Sequence, residues 1–179
     1  MLSIPTRTIV NTELSTTAST VTLSVGTPSL PFTHRHLVVR VNAIATTGTP
    51  NILVRFNTDT GANYNYQIMK GAVSSATADR SSAQTSLLFG ILSSTANEFS
   101  GGEFLVPDAF STRSYKSLVA LSGQVEDSVH SSGGLWLDTS AITSVTIFTS
   151  ASTFASGSVF DLAVVDEMYA VPGAETIVV

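Results

Sequence analysis

The stretch Val54-Arg55-Phe56-Asn57-Thr58-Asp59-Thr60-Gly61-Ala62-Asn63-Tyr64-Asn65-Tyr66 sets the reading of the whole chain. Val54 and Phe56 flank Arg55, and Tyr64 and Tyr66 flank Asn65. Such period-two alternation sends successive side chains to opposite faces of a strand. Between the two runs lie Asn57, Asp59 and Gly61, residue types that favour chain reversal. The stretch therefore predicts strand, tight polar turn, strand: a β-hairpin.

The same period recurs outward from it. Val21, Leu23 and Val25 alternate with Thr20, Thr22 and Ser24; Leu37, Val39, Val41 and Ala43 alternate with Val38, Arg40 and Asn42; Ile52 continues the Val54–Phe56 face; Val145 and Ile147 alternate with Ser144 and Thr146. Further strands are predicted over 7–14, 64–70, 84–92, 98–106, 114–122, 133–137 and 159–165. Gly, Pro and Ser clusters punctuate them, among them Thr47-Gly48-Thr49-Pro50, Ser100-Gly101-Gly102 and Ala155-Ser156-Gly157. Many short strands, abundant β-branched residues and no helix-period segment define an all-β chain, an antiparallel β-sandwich or barrel. The small, polar stretch 73–83 is expected as a one-turn helix or a mobile loop. No repeat of fixed period is visible, which argues against a solenoid or propeller.

Residues 1–165 make one sandwich domain, a length that buries roughly 70% of its unfolded surface without staples. Residues 166–179 read as a C-terminal arm. Pro172-Gly173 breaks regular structure and Ile177-Val178-Val179 is an apolar ending. The arm is either a frayed tail or, the preferred reading, a strand added to a neighbouring subunit's sheet. Tyr169, Val171, Ile177, Val178 and Val179 are then interface candidates, joined by Arg7 and Ile9 on the first strand.

Composition narrows the chemistry. There is no cysteine, which excludes disulfides, thiolate metal sites and cysteine nucleophiles. Charged residues make up 12% of the chain, about half the usual share, which suggests a surface partly covered by partners. The net charge is −5 and the eight basic residues are scattered, so nucleic acid is not an expected partner. Arg35, Arg40 and Arg55 are the nearest approach to a basic cluster. The start Met1-Leu2-Ser3-Ile4-Pro5 lacks a charged segment followed by an apolar one, and no run reaches the ~18 apolar residues of a membrane helix. A soluble chain made in the cytosol, with no membrane partner, is expected.

No catalytic, cofactor-binding or metal residues are assigned. Asn57, Asp59 and Asn63 offer oxygens around the Gly61 bend, but a calcium loop wants Gly at its sixth position and Glu at its twelfth, where Ala62 and Ile68 stand. The alternative is a turn held by side-chain-to-backbone hydrogen bonds. His34 and His36 share a strand face, with His130 the one further histidine for a third ligand. Ser, His and acid residues show no nucleophile elbow. Glu98 with Glu103, and Glu126 with Asp127, are the carboxylate pairs a glycosidase would need, and nothing fixes either pair across a cleft. Trp136, the single tryptophan, fills the core or an interface, or stacks on a sugar. Phe32, Phe56, Phe104, Phe148, Phe154 and Phe160 are likewise core or interface candidates.

Several motifs in order carry a family resemblance. They are Leu30-Pro31-Phe32-Thr33-His34-Arg35-His36-Leu37-Val38-Val39, the Phe56–Tyr66 turn, Phe104-Leu105-Val106-Pro107-Asp108 with Tyr115-Lys116-Ser117, Gly133-Gly134-Leu135-Trp136, Ala141-Ile142-Thr143-Ser144-Val145-Thr146-Ile147, and Phe154-Ala155-Ser156-Gly157-Ser158-Val159-Phe160. From about Ile9 to Leu162 the chain resembles a jelly-roll-like β-sandwich module of tailed-bacteriophage structural proteins. That resemblance implies a non-enzymatic virion component without cofactors, assembled as a small symmetric oligomer such as a trimer. Members include head decoration, head fibre and tail proteins. The 17 residues after Leu162 depart from the shorter versions and suit a capsid decoration protein that grips the major capsid protein. The alternative is a receptor- or glycan-binding module on a tail or head fibre. A degradative enzyme of the host envelope is a third class, for which the sequence assembles no site.

Overall fold

The computed structural model describes residues 6–25, 35–124 and 128–166. Twelve strands lie among these residues: β1 (Thr6–Glu13), β2 (Thr20–Ser24), β3 (Arg35–Ala43), β4 (Asn51–Phe56), β5 (Tyr64–Ala72), β6 (Ser75–Gln84), β7 (Leu87–Ile91), β8 (Ser100–Val106), β9 (Lys116–Gln124), β10 (Ser128–Trp136), β11 (Ser144–Thr149) and β12 (Val159–Asp166). They form an antiparallel β-sandwich. One sheet has eight strands in the order β1-β12-β3-β8-β9-β10-β5-β6; the other has four, β2-β11-β4-β7.

The topology resolves into a common frame with two additions. Without β5, β6, β9 and β10, the sheets read β1-β12-β3-β8 and β2-β11-β4-β7. That is the wrapped pairing of an eight-stranded jelly roll, in which strands leave one sheet and return in the other. The hairpins β5–β6 and β9–β10 are both appended beyond β8, and they double the width of one sheet.

The core lies between the sheets and follows the period-two pattern. Leu23, Val39, Val54, Phe56, Phe104, Val145, Ile147 and Leu162 are buried there. Phe89 meets Phe104 edge-on at 5.3 Å between ring centroids, and Phe154 meets Phe160 at 4.9 Å. Edge-to-face geometry puts a positive ring edge on a negative ring face and adds to the area term.

Two expectations are corrected. Val54–Tyr66 is not a hairpin. β4 pairs with β11 and β7 in the small sheet, whereas β5 pairs with β10 and β6 in the large one. The polar turn is a corner that carries the chain from one sheet to the other. Residues 73–83 are neither helix nor loose loop: β6 is a ten-residue edge strand paired along β5. Its side chains are nearly all exposed, so backbone hydrogen bonds hold it rather than burial. Strand β10 also starts earlier than the predicted 133–137.

Candidate interaction surface

The corner between the sheets accounts for the first candidate site. Asn57 and Thr58 adopt φ of 51° and 58°, the left-handed region in which Asn is tolerated and a β-branched residue is strained. The Asp59 carboxylate and the Asn57 amide are both tied into the corner by hydrogen bonds. Asp59 Oδ1 accepts from Gly61 N at 2.7 Å, and Asp59 Oδ2 accepts from Asn63 Nδ2 at 3.0 Å and Trp136 Nε1 at 2.7 Å. Asn57 Oδ1 accepts from Thr143 N at 2.7 Å, and Asn57 Nδ2 donates to Ala141 O at 2.8 Å. Partial burial works to raise the Asp59 pKa, but the bonds from Trp136, Asn63 and Gly61, with the charge of Arg55, outweigh it and hold the carboxyl below its ordinary value of 3.8. Asn57, Asp59 and Asn63 thus form a hydrogen-bonded corner, the alternative the sequence left open. Trp136 is a core residue, 1% exposed, stacked on Tyr64 at 6.4 Å and tilted against Phe56 at 5.6 Å. Burial drives the Tyr64 phenol well above its usual range.

The other candidate pairs do not converge. His36 Nδ1 accepts from Asp108 N at 3.2 Å; His130 is buried on the opposite face of the large sheet with its Nε2 2.7 Å from Ser128 Oγ. His34 lies outside the described residues, as do Phe32, Glu126, Asp127 and the arm residues Tyr169, Val171, Ile177, Val178 and Val179. Arg7 is on β1, paired with Val164, and Ile9 on the same strand packs half-buried against the core. Glu103 binds Arg40 and Glu98 accepts from Ser93 Oγ, so the two glutamates serve separate partners. Arg55 lies over the Phe148 ring, 4.3 Å from its centroid, on the small sheet, away from Arg40. Among the described residues no three His, Asp or Glu side chains gather as a metal site requires.

What the structure adds is a face. On the outer side of the large sheet Met69, Val119, Leu121 and Val129 are 63%, 60%, 61% and 57% exposed, with half-buried Leu105 beside them. All but Leu105 sit on the appended hairpins, the part that the jelly-roll frame does not need. A Cβ added to Gly71, Gly101 or Gly133 would meet nothing within 4 Å, and one on Gly123 would meet only Val129 Cγ2 at 3.7 Å. The face is therefore apolar, with glycine gaps between its large side chains. A polar ladder borders it: Arg40 Nε donates to Glu103 at 2.7 Å and Arg40 Nη1 to Asp161 at 3.2 Å across three adjacent strands.

The inner side of the same hairpins is unexpectedly polar. Ser122, Gln124, Ser128, His130 and Ser132 are all buried. Ser122 Oγ donates to Phe89 O at 3.0 Å. Lys116, 1% exposed, donates to Ser114 O at 2.7 Å and Thr139 O at 3.2 Å, and burial lowers its pKa against the pull of Asp108 and Asp138. Sequence reading missed both features. The signal for the face was present in Leu118-Val119-Ala120-Leu121, an apolar run that covers both sides of an antiparallel strand where one side ordinarily meets water. Compared with protein-family models, curated proteins and solved structures, the chain matches none.

Proposed function

We propose that this chain is a structural component of a tailed-phage virion, a decoration protein that stabilises the capsid by binding and bridging its subunits. The observation that carries the reading is the apolar outer face, built on two hairpins added to a jelly-roll frame. A soluble protein seldom leaves such a patch uncovered, so the chain works by assembly rather than turnover. Jelly rolls serve in viral capsid and lectin domains, and the motif order from Ile9 to Leu162 favours the virion use. The mechanism is mass action: a protein that binds one state of the shell better shifts the shell toward that state. The strand β1 and residues 169–179 supply the gripping segments in this reading.

Localisation on purified particles, by cryo-electron microscopy with mass-spectrometric copy number, tests it. Hundreds of copies at lattice points support decoration. A few copies on the tail or a vertex overturn decoration in favour of a fibre module that binds host glycans. Absence from particles overturns the virion reading. Deletion of residues 169–179 without loss of particle binding removes the arm from the mechanism.

A further inference from the structure

We infer that the outer face of the large sheet is a two-fold interface between copies of this chain, with the symmetry axis lying along the strands between β9 and β10. The inference concerns oligomer geometry and does not depend on the virion reading.

It follows from register. Residues directly opposite across a ladder point to the same side, so each row of the face can be read off the pairing. One row runs Leu105, Val119, Gly133, Gln67, Arg80. The next runs Glu103, Leu121, Ser131, Met69, Ala78. The third runs Gly101, Gly123, Val129, Gly71.

A two-fold axis parallel to the strands, midway between β9 and β10, exchanges those strands within each row. It lays Val119 of one copy over Gly133 of the other, Leu121 over Ser131, and Val129 over Gly123. On β9 and β10 each large side chain meets a small residue or a glycine; one strand further out, Leu105 lies over Gln67 and Met69 over Glu103. β9 and β10 thus carry complementary relief across their own midline, which is the requirement for a surface that binds itself. Two sheets pack face to face at about 10 Å when their side chains interdigitate in this way.

Charge agrees with the same axis. On one side of the midline Arg40, Glu103 and Asp161 carry one net negative charge. On the other, Arg80 stands exposed on the same face. The axis exchanges β3 with β6 and β8 with β5, so the acidic flank of each copy meets the Arg80 flank of its partner. An axis perpendicular to the strands would instead set the acidic flanks against each other. Six strands at about 4.8 Å spacing and seven residues at about 3.4 Å give roughly 700 Å² in projection. With side-chain relief this approaches the roughly 800 Å² per partner of a standard interface.

The test is sedimentation velocity with light scattering on the full chain from about 1 to 300 μM, a range that spans weak to firm association. A dimer is expected. Leu121→Asp, at a surface position, raises the dissociation constant on the order of 100-fold, because it buries an unpaired charge. Gly133→Phe does the same by filling the place of the partner's Val119, while the open space around Gly133 leaves each subunit folded by circular dichroism. Arg80→Glu weakens association roughly tenfold, and Arg80→Glu with Glu103→Lys restores it. A monomer throughout the range, a three-fold mass, or a dimer indifferent to Leu121→Asp and Gly133→Phe overturns the inference.

Discussion

Trp136 donates its indole N–H to Asp59 Oδ2 over 2.7 Å, although 77 residues separate them in the chain. The bond ties the end of β10 to the corner through which the chain changes sheet. It also makes the single tryptophan a reporter of that corner. Asp59→Ala removes one acceptor shared by Trp136, Asn63 and Gly61. The expected loss is about 2–3 kcal/mol in urea unfolding, since a buried donor is left without a partner. Asp59→Asn keeps an acceptor and is expected to lose about half as much. Tryptophan emission, followed alongside circular dichroism, separates loosening of the corner from global unfolding.

Acid should act through the same carboxylate. The folded-state pKa of Asp59 lies below the ordinary 3.8, so the unfolded chain binds the proton more readily. Its contribution is complete above 3.8 and is lost as pH falls through the lower folded value. Urea midpoints of wild type and Asp59→Asn, measured from pH 6 to pH 2, should converge at the acid end.

Lys116 should act at the other extreme. Burial lowers its folded pKa below 10.5, so the folded protein releases that proton first. The cost of the buried charge is constant at neutral pH and is relieved as pH rises from the folded value to 10.5. Tyr64 works in the opposite sense: its raised pKa stabilises the fold below 10.0 and that contribution declines as pH rises further. The comparison of Lys116→Met with wild type isolates the lysine. The variant should gain relative stability at neutral pH, and its advantage should shrink toward pH 10.

The neighbours Gly101 and Gly102 offer a test of facing. A Cβ on Gly102 would lie 2.6 Å from Phe89 Cζ, 2.8 Å from Ser122 Cβ and 3.1 Å from the Leu121 carbonyl oxygen. Gly102→Ala should cost about 1–3 kcal/mol by overpacking. Gly101→Ala points into open space and should change the thermal midpoint little, within about 0.5 kcal/mol. Equal effects at the two positions would contradict the assignment of inner and outer faces.

Much of the architecture was legible because burial on one face imprints period two. The burial of Val21, Leu23, Val39, Val54 and Phe104 follows that imprint directly. Partner choice was not legible. Periodicity marks Val54–Phe56 and Tyr64–Tyr66 as strands around a turn, but it carries no record of which strand lies alongside, and their true partners are β11 and β10. Strand β6 was invisible for a different reason. An exposed edge held by backbone bonds needs no apolar face, and Asp79 and Arg80 guard it against further pairing. The interaction face was half-written in Leu118–Leu121, whereas the glycine gaps opposite Val119 and Val129 emerge only once β9 and β10 are placed in register.

The strand order also dictates when the molecule can close during synthesis. β11 lies between β2 and β4, and β12 lies between β1 and β3. β1 and β2 therefore have no strand partner until residues 144–166 are made, and before then β3 and β4 can pair only with β8 and β7. Until β11 has left the ribosome the smaller layer cannot be completed, and until β12 has left it neither can the larger one. Such distant pairing makes for slow folding and a long interval with open strand edges. Chains stopped short of residue 144 are expected to be caught by chaperones or to aggregate, and refolding of the full chain from urea should be far slower than for a helical protein of its size.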